Sequence, residues 1–292
     1  MKLEDIRTVS VFGVGLMGSG IAQVLALQGY EVYLRDITRE LVDAGLENVK
    51  RSLQKATDKS VITSDQAEDA VARLVLTTDI AEAARTADFI IEAIPERTEL
   101  KAQLFGQIDG LCRQSTILAT NTSTLSITEI ASATERPDRC IGMHFFNPVP
   151  QMKLVEIIRG LATADETVET TRLLVEKMGK DPIVVNDAPG FVTSRLGVAL
   201  FLEASKILEA GIATPDAIDK GMRLGYGHRM GPFETVDLVG LDARLNNINA
   251  LYESTRDPYW KPPQLLKKLV SAKYLGRKRG SKGGYYTYFG IE

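Results

Sequence analysis

Short apolar runs alternate with longer amphipathic stretches along the first two thirds of the chain. Thr8 to Gly13, Glu31 to Leu34, Phe89 to Ile94, Thr116 to Ala119, Ile141 to Phe146, Leu154 to Ile158 and Ile183 to Val185 are short and apolar, with many β-branched residues. Such runs predict buried strands. Helical patterning at Ile21 to Leu27, closed by Gly29, fills the first interval. Strands separated by helices predict an α/β domain with a largely parallel, doubly wound sheet covered on both faces.

The pattern changes after Asp187-Ala188-Pro189-Gly190. Beyond it the only strand candidate lies in the last few residues. Phe191 to Ala210 reads as a long helix closed by Gly211. Thr214-Pro215-Asp216 predicts a helix start, with Thr capping and Pro at the first helical position, where a missing N–H costs nothing. Pro232 opens another helix by the same logic, and Pro262-Pro263 precedes a last one over Leu265 to Leu275. The organisation expected is a Rossmann-like dinucleotide-binding domain over 1–187. An all-helical substrate and dimerisation domain follows over 188–292.

Gly13-Val14-Gly15-Leu16-Met17-Gly18 follows the first strand and opens the first helix. This context turns a weak G-x-G-x-x-G pattern into a dinucleotide site. Gly13 permits the tight turn, Gly15 lets a pyrophosphate approach the backbone, and Gly18 lets helix and strand pack closely. Asp36 stands 18 residues past Gly18 at the end of the second strand, placed to accept from the adenine ribose hydroxyls. Its charge favours NAD over NADP. Arg35 and Arg39 flank it and keep NADP open as the alternative, since either can neutralise a 2′-phosphate.

Of two histidines, His144 ends an apolar strand run. A histidine in such a place is commonly a satisfied core residue. Glu156, however, lies 12 residues on in the middle of Leu154-Val155-Glu156-Ile157-Ile158. A carboxylate in a buried strand is costly unless paired, and His144 is the simple partner nearby. If the two strands are neighbours, the pair forms a general acid–base with its orienting carboxylate. Asn121-Thr122-Ser123-Thr124-Leu125-Ser126 follows another strand end. These side chains either touch nicotinamide or substrate, or cap the next helix with Thr124 or Ser126.

Composition narrows the class. Among 292 residues, 44% are hydrophobic and 25% charged, as in globular proteins, and a net charge of −3 gives no reason to expect a nucleic-acid partner. The basic cluster Arg277, Lys278, Arg279 and Lys282 is the one candidate anion site, or else a solvated charge run. Two cysteines, Cys112 and Cys140, lack disulfide-framework or metal-ligand spacing. No signal peptide and no membrane span is read, so a cytoplasmic protein is expected.

Several segments together resemble the 3-hydroxyacyl-CoA dehydrogenases, with the bacterial 3-hydroxybutyryl-CoA enzymes nearest. They are Gly13 to Gly18, Leu34-Arg35-Asp36-Ile37, Asn121-Thr122-Ser123, Gly142-Met143-His144-Phe145-Phe146-Asn147-Pro148, Lys153-Leu154-Val155-Glu156, Pro189-Gly190-Phe191 and Met230-Gly231-Pro232-Phe233. The resemblance implies an NAD-dependent oxidoreductase interconverting (S)-3-hydroxyacyl-CoA and 3-oxoacyl-CoA, and a homodimer formed through the helical domain. It implies His144 as acid–base, Glu156 as its partner and Ser123 on the substrate 3-oxygen. Glu96, Lys101, Ser123, Asn147 and Lys278 match dinucleotide contacts, and Ser52 and Lys59 match coenzyme A contacts. Where the family reads Pro-Gly-Phe-x-x-Asn-Arg, with Asn at the acyl group, this chain carries Ser194. The alternatives kept open are a dehydrogenase of another hydroxy acid such as gulonate, and a non-catalytic dinucleotide-binding protein.

Overall fold

A computed structural model describes residues 2–291. Eight strands form one sheet: β1 (Thr8–Phe12), β2 (Glu31–Arg35), β3 (Leu74–Thr77), β4 (Phe89–Glu92), β5 (Ile117–Thr120), β6 (Cys140–Phe145), β7 (Leu154–Arg159) and β8 (Asp181–Asn186). Their spatial order is β3-β2-β1-β4-β5-β6-β7-β8. Every neighbouring pair is parallel except β6 with β7, which is antiparallel. All seven strand runs expected from the sequence are present, each within a few residues of its expected ends. The eighth, β3, escapes the pattern because only Arg73 separates it from the helix Ser64–Ala72 and its residues are mostly half-buried.

The chain winds from β1 through β2 to β3 on one side and then returns to place β4 on the other side of β1. In such sheets ligands sit where the winding reverses, beyond the carboxyl ends of the strands. The residues of β4 and β5 are buried throughout, so the sheet is covered on both faces here. Two apolar layers do this, one around Val9, Val11, Ile21 and Ile91, the other around Phe12, Ile90, Phe105 and Leu118. Cys112 and Cys140 are both buried free thiols, and burial pushes Cys140 up to about 12.

The chain divides after Ala188 into two compact units. The second is built from helices over Thr193–Glu209, Pro215–Tyr226, Pro232–Val239, Leu241–Thr255 and Gln264–Ser271, with a short turn of helix at Tyr285–Tyr288. Phe201, Phe233 and Tyr285 pack at its centre with ring centroids 4.9 to 5.9 Å apart. Two buried aspartates hold helix starts: Asp219 accepts from the N–H groups of Phe233 and Glu234, and Asp237 from those of Tyr285 and Tyr286. The expected final strand is instead that helical turn, preceded by a single bridge between Gly276 and Gly283. Thr214 takes the cap position and Pro215 the first turn, but the Thr214 side chain makes no capping bond.

Candidate active site

The glycine turn matches the demands of a bound dinucleotide. Gly13 has φ +86°, and a Cβ there would meet the Ala93 carbonyl carbon at 2.8 Å. At Gly18 a Cβ would lie 1.9 Å from the Gly13 carbonyl oxygen, so only glycine lets this helix start against its strand. Gly15 differs: nothing lies within 4 Å of its Cβ position. That open space beside the backbone, at the N-terminus of the helix Leu16–Leu27, suits a pyrophosphate. Leu16 is exposed beside it and Met17 half-buried. Asp36 accepts from the Val14 N–H at 2.9 Å and from the Ile37 N–H at 2.7 Å. Those two bonds fix the carboxylate at the turn and leave lone pairs for ribose hydroxyls. Of the flanking arginines, Arg39 pairs with Asp43 at 2.9 Å and Arg35 lies over the Phe12 ring.

Further along the same sheet, β6 and β7 run antiparallel with His144 directly opposite Glu156. Opposed residues of an antiparallel pair share a face and meet side chain to side chain. The His144 Nδ1 to Glu156 Oε2 distance is 2.6 Å, Glu156 is fully buried, and the His144 side chain is 9% exposed. The connection between these strands is fastened by Lys180, whose ammonium donates to the Val149 carbonyl at 2.6 Å and the Met152 carbonyl at 2.8 Å. Nothing in the sequence marks Lys180 for this task. Asn147 lies in the same connection, before Pro148.

Between these two places stand the ends of β4 and β5. Glu96 Oε1 accepts from the Thr122 hydroxyl at 2.6 Å, the Ser123 N–H at 2.8 Å and the Ser123 hydroxyl at 3.3 Å. Asn121 Oδ1 accepts from the Phe145 N–H, next in chain to His144, at 3.1 Å. Ser126 caps the helix Ile127–Ala131 and donates to Asp187, whereas Thr124 caps nothing. Thus Ser123 is bonded to Glu96 and Asn121 to the strand of His144, while Ser126 caps a helix.

Lys101 occupies a place its sequence match does not suggest. Its ammonium is fully buried, 2.6 Å from Glu92 Oε1, and also faces the carbonyls of Ile94 and Asn121 at 3.3 and 3.4 Å. Glu92 was missed at the sequence level, although a carboxylate inside the apolar run Phe89 to Ile94 raises the same question as Glu156. Burial pushes the Glu92 carboxyl above the ordinary range, and Lys101 draws it back.

The remaining candidates stand on other elements. Ser52 is half-buried in the helix Arg39–Asp58, and Lys59 is exposed as its C-cap. Seven positions separate them, about two helical turns on one face. In the second unit, Ser194 stands in the first turn of the helix Thr193–Glu209, after Gly190 and Phe191, both of which have positive φ. Lys278 pairs there with Asp242 at 2.5 Å.

Two family models cover nearly the whole chain: the NAD-binding domain of 3-hydroxyacyl-CoA dehydrogenase matches residues 8–188, and its C-terminal domain matches 190–288. The chain belongs to the 3-hydroxyacyl-CoA dehydrogenase family. It is 44% identical over 284 residues to a probable 3-hydroxybutyryl-CoA dehydrogenase of Bacillus subtilis, covering 97% of this chain and 98% of the relative. The human mitochondrial hydroxyacyl-coenzyme A dehydrogenase is 39% identical over 289 residues, covering 97% of this chain and 91% of the relative. Among solved structures, the (S)-3-hydroxybutyryl-CoA dehydrogenase of Ralstonia eutropha superposes with a TM-score of 0.91 at 43% identity. That match covers 96% of this chain and 98% of the other. The dehydrogenase therefore carries the fold and NAD-binding domain expected from its sequence, and neither the gulonate alternative nor the non-catalytic one is favoured. No described helix is long and apolar enough to cross a membrane.

Proposed function

We propose that this dehydrogenase interconverts short-chain (S)-3-hydroxyacyl-CoA and 3-oxoacyl-CoA with NAD, in the cytoplasm. The observation that carries the reading is the 2.6 Å His144–Glu156 pair on adjacent antiparallel strands of the same sheet as a glycine turn built for a dinucleotide. The names of the relatives, 3-hydroxybutyryl-CoA dehydrogenases, support the short chain.

Bound NAD supplies the acceptor for the hydride that leaves C3. Gly13, Gly15, Leu16, Met17 and Gly18 hold its pyrophosphate, Asp36 its ribose, and Glu96, Asn147 and Lys278 complete its contacts. Because Asp36 stays fixed at the turn while Arg39 is committed to Asp43, NAD is favoured over NADP. With Nδ1 committed to Glu156, Nε2 of His144 takes the proton of the 3-hydroxyl in oxidation and returns one to the 3-keto oxygen in reduction. Glu156 fixes the tautomer and stabilises the imidazolium. Glu96 holds the Ser123 N–H at 2.8 Å, and the Ser123 hydroxyl turns from Glu96 to donate its one proton to the 3-oxygen. Ser52 and Lys59 take the coenzyme A moiety, and Ser194 faces the acyl group with one hydroxyl where an amide is usual. The helical unit exposes Leu196, Ile212, Leu224 and Tyr226, apolar surface that supports a homodimer through this unit.

The test is oxidation of NADH and of NADPH, followed by nicotinamide absorbance, with acetoacetyl-CoA beside free acetoacetate and a gulonate control run with NAD. Turnover with acetoacetyl-CoA and NADH alone is the expected result. NADH binding without turnover of any acyl-CoA would overturn it.

A further inference from the structure

Glu92 and Lys101 form a fully buried ion pair that the acid–base chemistry does not use. An ammonium has three donors, and this one has acceptors on three sides: Glu92 Oε1 at 2.6 Å, the Ile94 carbonyl at 3.3 Å and the Asn121 carbonyl at 3.4 Å. Glu96 Oε2 lies 3.5 Å away. Glu92 is satisfied in turn by the Ile94 N–H and the Thr120 hydroxyl, both at 2.6 Å. Its register partners are Phe12 on β1 and Thr120 on β5, so the pair sits at the carboxyl edge of the sheet.

Each of these bonds ends on a segment that carries a site residue. Ile94 leads to Glu96. Asn121 leads to Ser123 and, through its side chain, to Phe145 beside His144. Lys101 itself has no exposed surface with which to touch a ligand. We infer that Lys101, bonded to Glu92, Ile94 and Asn121, is a positioning residue that locks the turns after β4 and β5, and so sets Glu96 and Ser123 against the reacting oxygen. This role differs from the dinucleotide contact that the resemblance implies for Lys101, because it acts through Glu96 and Asn121. This inference rests on the proposed reaction.

The experiment compares wild type, Lys101→Met and the double variant Glu92→Gln/Lys101→Met. The single variant leaves a carboxylate buried without its cation and melts lower. The double variant removes both charges, while the amide introduced at position 92 can still serve the Ile94 N–H and the Thr120 hydroxyl. Its melting temperature is expected to return towards wild type. The single-turnover rate of acetoacetyl-CoA reduction is expected to stay down by about tenfold or more, because small misplacements near a reacting centre are costly. The dissociation constant for NADH should remain within about threefold of wild type. Recovery of the rate along with the melting temperature would reduce the pair to a packing element. A rise in the NADH dissociation constant that accounts for the lost rate would make Lys101 a cofactor contact. An inactive wild type would count against the proposed reaction, not against the positioning role, which NADH binding and melting still probe.

Discussion

Two carboxylates in this sheet, Glu156 and Glu92, are equally buried, and each lies 2.6 Å from a nitrogen base. Their partners make them different devices. Glu156 faces an imidazole, the side chain whose ordinary titration lies nearest neutrality, so its pair can trade a proton and be restored. Glu92 faces an ammonium enclosed by two carbonyls and a second carboxylate, an arrangement that fixes the surrounding turns. One buried acid serves chemistry and the other geometry, and the choice of partner decides which.

Variants that damage one pair and spare the other sharpen this contrast. His144→Gln should lower kcat at least about a hundredfold, the usual size of a general acid–base contribution, with the melting temperature near wild type. A kcat close to wild type would remove the proton-transfer role. Glu92→Gln should act on folding first: an unpaired buried ammonium costs about 3 kcal/mol, readable as a shifted urea midpoint at unchanged slope. If the midpoint does not move, the buried pair is not the fixed device described. Glu156→Gln keeps the shape of the pair without its charge. It should lower kcat by about tenfold or more, because the imidazole loses the carboxylate that orients it and a small misplacement at a reacting group is costly. Thr120→Val removes one donor to the Glu92 carboxylate and should cost about 1.5 kcal/mol of stability. Ser194→Asn restores the amide usual in the family and should keep or raise turnover of acetoacetyl-CoA; a large loss there would mean a site adapted to another acyl group.

The contrast also measures what was legible in the sequence. The His144–Glu156 pair was readable because both residues interrupt apolar runs, and the short connection between those runs allows them to be neighbours. The same cost of burial applies to Glu92, yet its run reads as a uniform strand and its partner arrives nine residues later on a helix, where a lysine is ordinarily a solvated surface residue. The glycine turn and Asp36 were legible because each glycine answers a specific steric demand. β3 was not, being four mostly half-buried residues against a helix. Neither were Lys180 and Asp237, whose partners lie 28 to 49 residues away in sequence and are set by tertiary packing.

The central claim is that Glu156 works through His144. The measurement that tests it most directly is a double-mutant cycle on single-turnover reduction of acetoacetyl-CoA, with His144→Gln, Glu156→Gln and the two combined. If the claim holds, the combined variant is no slower than His144→Gln alone, within about threefold, because the carboxylate has nothing left to orient. If the two losses instead multiply, Glu156 acts on the reaction independently of His144, and the pair is not the acid–base unit described.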